Sequence, residues 1–255
     1  MSPGERDEAS LQAVLLVLLI MLFCGLQAVW LYRADPWHIF HWQSDKPIRD
    51  YDLFDHLRFH KPMRMRALSS PVLVLGSSRA ARLAPVVEVD QAGLPPYNAA
   101  LPGATLYELR AMLEHAIAIG GTEHVILAID QSMLRPLDPP YRTGFQHDRQ
   151  LIPSPGPFQL VAQKTQYLTD LWHALVSRGS LSMALEQARS GEHSQRVFLA
   201  NGIWFGTDDS KSRRFRENMV VKNELERQQA LVGTPDFTEL ARIISLCRDR
   251  GIDLT

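Results

Sequence analysis

Residues 71–79 read PVLVLGSSR, and residues 124–130 read HVILAID. Each opens as a continuous apolar run, in part β-branched. The first is closed by Gly76 and the second by Asp130. A run without polar alternation suits a strand covered on both faces, as in a parallel sheet. Between them, Tyr97 to Leu101 is a shorter strand candidate entered through Pro95 and Pro96. Thr105 to Ile119 follows a helical period, with Leu106, Leu109, Leu113 and Ile117 on one stripe and Gly120-Gly121 as the stop. Strand, loop, strand, helix, strand in about 60 residues predicts right-handed crossovers and a parallel α/β sheet.

Toward the C-terminus the rhythm breaks and then returns. Residues 131–233 read as a mostly helical insertion covering one end of the sheet. Six prolines between Pro136 and Pro157 mark an irregular start. Gln159–Arg178 and Leu181–Arg189 read as helices, broken at Gly179-Ser180 with Ser180 as N-cap. Val197 to Phe205, around Asn201-Gly202, reads as a small hairpin, and Arg213 to Leu231 as a polar helix. Thr234-Pro235 starts another helix, Phe237 to Arg250 is amphipathic, Gly251 ends it, and Ile252 to Thr255 begins a strand. A helix followed by the start of a strand is half of an αβ unit, so the sequence reads as part of a longer protein.

Toward the N-terminus, Leu11 to Leu31 carries no charge and, at 1.5 Å per residue, spans about 30 Å, the thickness of a hydrocarbon core. Trp30, Tyr32, Trp37, Phe40 and Trp42 follow as an expected interfacial belt. Met1 to Ser10 holds Glu5, Asp7 and Glu8 against Arg6, which is not the basic start of a cleaved signal. The expected organisation is a tail (1–10), a transmembrane helix (11–32), a juxtamembrane connector (33–69) and an α/β domain (70–255). The connector reads as a solvated stalk or an amphipathic helix lying on the domain. A contact between its basic cluster and lipid headgroups is the alternative. Arg33, Lys46 and Arg49 against Arg6 mildly favour a cytoplasmic domain.

Composition excludes several classes. The 27 Lys+Arg balance 28 Asp+Glu, a net charge of -1, so no global electrostatic footprint for nucleic acid exists. Two cysteines, Cys24 and Cys247, cannot form a disulfide framework. No metal-ligand cluster, Walker loop or GxGxxG is present, and no cofactor is expected. A nucleotide-binding domain using Gly76-Ser77-Ser78 as a phosphate cradle lacks the glycine pattern that reading requires.

In open parallel sheets, sites form beyond the carboxyl ends of the strands. Those ends carry Gly76 to Arg79, Asn98 to Thr105 and Asp130 to Ser132. VLVLGSSR resembles the first block of the SGNH (GDSL-like) hydrolases, and YNAALPGAT resembles their second. The wider pattern is similar to membrane-anchored bacterial members, including relatives of the D-alanine transfer protein of teichoic acid modification. The resemblance implies an SGNH-like (flavodoxin-like) fold with Ser78 as nucleophile. It assigns the oxyanion hole to the backbone N–H groups of Ser78 and Gly103. It further implies a single-pass inner-membrane protein with a periplasmic domain, and an ester hydrolase or acyltransferase whose partners are the bilayer and an envelope polysaccharide or lipid acyl acceptor.

The residues depart from that pattern twice. Where the family has Gly-x-Asn-Asp, this chain reads Ala128-Ile129-Asp130-Gln131. Ionised Asp130 accepts hydrogen bonds only, so it cannot supply the missing amide donor. The family's Asp-x-x-His block has no counterpart after Gly251. Without a base in reach, a serine hydroxyl is a poor nucleophile. His115 is expected to face water, and His124 to start a strand at the end away from Ser78. His38, His41, His56 and His60 are juxtamembrane, and His147, His173 and His193 lie in the insertion. A non-catalytic SGNH-like scaffold or binding module of an envelope assembly is therefore the alternative. Asn98 is expected either to hold the Ser78 loop or to serve as a plain strand end. Asp130 is expected to cap the end of its strand. Arg79 and Arg82 either steer an anionic substrate or are exposed turn residues.

Overall fold

A computed structural model describes residues 3–37, 39–40, 48–49, 56–82, 96–189, 196–198, 204–206 and 235–255. Among them the chain is α/β, with a four-stranded parallel sheet and six α-helices. The elements, in chain order, are α1 (Pro3–Ala34), β1 (Ile48–Arg49), α2 (Leu57–Met65), β2 (Val72–Leu75), β3 (Tyr97–Asn98), α3 (Leu106–Ile119) and β4 (His124–Leu127). Then come α4 (Pro157–Val176), α5 (Arg178–Arg189), β5 (Arg196–Phe198), β6 (Trp204–Gly206), α6 (Thr238–Asp249) and β7 (Asp253–Leu254).

The main sheet has the order β3-β2-β4-β7. Val72 pairs with His124 and Leu75 with Leu127, while Leu73 pairs with Tyr97. Every residue of β2 is buried, as its unbroken apolar run predicts. β4 is less covered: Val125 is buried, but Ile126 and Leu127 are half-buried and His124 is exposed. Its outer neighbour is the two-residue strand β7, which cannot shield it as β2 is shielded. α3 starts on a capping box in which Thr105 Oγ1 accepts from the Glu108 N–H and Glu108 accepts from the Thr105 N–H. Gly120, at φ 91°, closes the helix where a side chain would be strained. α6 docks on α3, with Arg110 reaching Glu239 at 2.6 Å.

Several boundaries differ from the sequence reading. α4 breaks at Ser177 rather than at Gly179-Ser180, because the Ser177 hydroxyl accepts from the Ser180 N–H and so caps the next helix. The Ser180 hydroxyl is used elsewhere, donating to His173 O and accepting from Trp37 Nε1 at 2.7 Å. β5 and β6 do pair antiparallel, and β1, from the connector, adds to β5 as a third strand. The stretch 213–231 read as a polar helix lies outside the described residues.

The connector is where packing overrides pattern. Trp37 is buried rather than set at a lipid boundary. Its ring meets Phe59 and His56 edge-on. Trp30 and Tyr32 are exposed, and Trp42 lies outside the described residues. α2 lies on the domain with Lys61 and Arg64 fully inside, so neither reaches a lipid headgroup. His115 also departs from expectation. Its α3 face looks solvent-directed in isolation, but α2 and the chain near residue 150 cover it. It is fully buried, with Nε2 2.9 Å from Pro62 O and Nδ1 accepting the Leu151 N–H at 2.7 Å. Those partners fix the neutral Nε2–H tautomer.

Burial, above all, pushes the His115 pKa down to about 4. The folded state therefore binds fewer protons than the unfolded state between the two pKa values. The stability held above pH 6.5 is lost as pH falls toward 4. The expected loss from this group is on the order of 3 kcal/mol. Urea midpoints measured from pH 7 to pH 4 should fall less steeply for His115→Asn than for the wild type.

Candidate functional site

Ser78 stands in the turn that leaves β2, and its side chain is half-exposed. The turn is tight because Gly76 has no side chain. A Cβ there would lie 2.5 Å from Ala80 Cβ and 2.9 Å from Ala128 O. Ser77 points inward and its hydroxyl accepts the Arg79 N–H at 3.2 Å. The hydroxyl taken up by the turn is thus that of Ser77, and Ser78 keeps its own. Among the described residues the Ser78 hydroxyl makes no hydrogen bond. Gly103 is exposed in the loop after β3, at φ 58°. Among the described residues neither its amide nor that of Ser78 donates a hydrogen bond.

The two turns leave neighbouring strands at the same edge of the sheet. The ladder between β2 and β3 continues past the strands, with Ala99 N donating to Val74 O and Leu101 N to Gly76 O. Asn98 then joins the turns through its side chain. Its Nδ2 donates to Ala80 O at 2.8 Å, and its Oδ1 accepts the Ala100 N–H at 3.1 Å. Asn98 is completely buried, so it holds the Ser78 loop rather than merely ending a strand.

Asp130 does not cap the turn that follows it. Its carboxylate meets Arg79 Nη1 at 2.6 Å. Arg79 and Asp130 therefore neutralise each other across the ends of β2 and β4, and Arg79 is not an uncommitted cation for steering. The Arg79 side chain is half-exposed, so this pair contributes at most about 1 kcal/mol. The Arg82 side chain lies outside the described residues.

Residues that the sequence reading passed over hold the loop after β3. Lys61 Nζ donates to Asn98 O at 2.8 Å and to Ala100 O at 2.6 Å. Burial pushes its pKa down to about 7. Arg58 grips Glu108 with two bonds and donates to Pro102 O at 3.0 Å. Arg142 Nε reaches Gly103 O at 3.3 Å. The available signal was Glu108 at the third position of a capping box beside Arg58 and Lys61 in a short helix. No local pattern says that these bases turn inward.

Among the described residues no histidine hydrogen-bonds Ser78. His115 is locked inside, and His124 pairs with Asp253 at the other end of the sheet. His173 faces Trp37 and Phe59, and the His147 ring lies against Tyr107. His38, His41 and His193 lie outside the described residues. Among the described residues no group of three His, Cys, Asp or Glu side chains lies together as metal ligands.

Comparison with protein-family models, curated proteins and solved structures gave no match. The site is therefore read from its own geometry. That geometry offers one hydroxyl and two amide donors on adjoining turns, framed by a neutral ion pair. Such donors suit a developing oxyanion if they reach a common point.

Two substitutions probe the frame. Asn98→Ala removes two buried bonds and should lower unfolding free energy by about 2–3 kcal/mol in urea titrations. Lys61→Met leaves two carbonyl groups unmatched inside the protein. It should cost about 2–4 kcal/mol by the same measurement.

Proposed function

We propose that this chain is a membrane-anchored SGNH-like protein whose Ser78 accepts an acyl group. It would then pass that group to water or to a hydroxyl of an envelope glycan or lipid. α1 is long and apolar enough to cross a membrane, over Ser10–Ala34. In this reading it tethers the domain at the surface where such polymers are made or modified, on the periplasmic face of an inner membrane. What supports the reading is that, among the described residues, the Ser78 hydroxyl and the Ser78 and Gly103 amides make no hydrogen bond, on two turns that the Asn98 side chain ties together.

The chemistry asks for specific parts. The hydroxyl attacks the acyl carbon of an ester and gives its proton to a base; the ester's C–O bond then breaks and its alcohol leaves with that proton, so the acyl group ends on Ser78 Oγ. The carbonyl oxygen gains charge, which the amides of Ser78 and Gly103 would hold. Gly103 suits its place because at φ 58° a side chain would be strained, while the space beside it is open.

A second reading rests on its own observation. Among the described residues no histidine bonds Ser78, and the third strand end carries Asp130 paired to Arg79 in place of an amide donor. An SGNH-like scaffold or binding module would look the same. Labelling with a fluorophosphonate probe separates the two. The acyl-enzyme reading expects covalent label on the wild-type chain and none on Ser78→Ala. Equal labelling of both, or of neither, leaves the scaffold reading.

A further inference from the structure

α4 packs Tyr167, Leu171 and Ala174 toward the core, yet it also buries polar side chains and leaves a second apolar face outward. Gln163, Asp170 and Ala174 are its buried positions. Its outward face carries Phe158, Val161, Leu168 and Trp172, exposed by 90%, 63%, 65% and 63%. At 3.6 residues per turn these four fall within an arc of about 80°, diametrically opposite the buried three. A helix on the surface of a water-soluble domain shows the reverse arrangement. The inward polar groups are fully engaged: Arg149 clasps Asp170 with bonds of 2.7 and 2.8 Å, and Gln163 donates to Gln150 O. The polar side is satisfied by protein, while the apolar side is left outward.

The neighbour of this helix says what lies outside. α4 and α5 pack against the last turns of α1. The buried or half-buried residues in this part of α1, Cys24, Gln27, Ala28 and Leu31, repeat at helical spacing and lie inside the apolar span Ser10–Ala34. Gln27 Nε2 donates to Val176 O, at the C-terminal end of α4, at 2.9 Å. Gln27 is about 10 Å along the axis before Ala34. The end of α4 is therefore fastened to the span at a depth short of its end. Trp30 and Tyr32, exposed on α1, and Trp172 on α4 are amphipathic rings of the kind that gather at a lipid–water boundary.

We propose that α4 is a second membrane contact. It lies in the plane of the interface, with Phe158, Val161, Leu168 and Trp172 among the acyl chains of the leaflet from which α1 emerges. This rests on the reading of α1 as a membrane span. Its consequence is a domain docked flat on the bilayer rather than one swinging on a stalk.

Nitroxide accessibility tests it on the full chain in vesicles of phosphatidylethanolamine and phosphatidylglycerol, with Cys24→Ala and Cys247→Ala as background. Single labels go at Val161→Cys and Leu168→Cys, at Leu18→Cys inside α1, and at Ser245→Cys on the exposed face of α6. The expected result is an oxygen-to-nickel-chelate collision ratio at 161 and 168 several-fold above that at 245. The label depth should be about 5–10 Å below the phosphates. If Leu18 is lipid-exposed while 161 and 168 match 245, the α4 proposal is overturned and the span stands. If 161 and 168 are shielded from both reagents, protein covers the face and the proposal is equally overturned. If Leu18 itself is water-exposed, the span reading fails, and α4 with it.

Discussion

The chain between Asn98 and Gly103 leaves the sheet with its carbonyl oxygens turned toward protein, and the upper half of the structure is organised around satisfying them. Lys61 takes two of them, Arg58 takes Pro102 O, and Arg142 takes Gly103 O. A buried carbonyl without a donor costs about 1–3 kcal/mol, and those of Asn98 and Ala100 belong to fully buried residues. The donors come from α2, on the N-terminal side of the sheet, and from the irregular segment after β4. Glu108 ties the same system to α3 by taking Arg58, the Thr105 N–H and the Arg142 N–H on one carboxylate. One loop thus draws three separated parts of the sequence together.

The cost of that arrangement is a set of charges removed from water. Lys61 and Arg64 are wholly buried, and Arg149 and Asp170 nearly so. Arg149 and Asp170 repay desolvation through two paired hydrogen bonds, the bidentate contact for which a guanidinium is suited. Lys61 repays it through backbone oxygen, and its lowered pKa reflects how incompletely oxygen dipoles replace water. The same burial fastens the C-terminal end of α1. Asp35, at φ 43°, accepts from the Ile39 and Phe40 N–H groups as α1 ends, and Trp37 then enters the core to bond Ser180. No free stalk separates α1 from α4 and α5 over these residues.

At the sheet edge, the turn chemistry divides labour between two adjacent serines. Ser77 is spent on its own turn and Ser78 is not. Asn98 makes the division possible, because it takes the Ala80 carbonyl that the turn leaves over. β6 packs beside the same 3-10 turn, so part of the insertion reaches this end of the sheet. A hydroxyl presented by a stiff turn is the precondition for nucleophilic chemistry, and a base in reach is the remainder. Arg79 and Asp130 give the rim a dipole rather than a net charge.

The sequence by itself determined the elements whose physics is local. Unbroken apolar runs made β2 and β4, a 3.6-residue stripe between Thr105 and Gly120 made α3, and an uncharged stretch made α1. Ser78, Asn98 and Gly103 could be placed at one edge because parallel strands put their carboxyl ends on one side. What it did not reveal was every feature decided by which surface meets which. His115 looked solvent-facing because a helix wheel knows nothing of α2 lying over it. Trp37 looked like a lipid anchor because an aromatic ring is equally suited to a core. Lys61 looked like part of a basic cluster on the connector, and Arg58 and Arg142 gave no signal at all, since no local pattern announces carbonyls about 40 residues away in sequence. The outward stripe of α4 follows the same rule: helical spacing predicted the helix, but only tertiary packing could say that its polar side turns in.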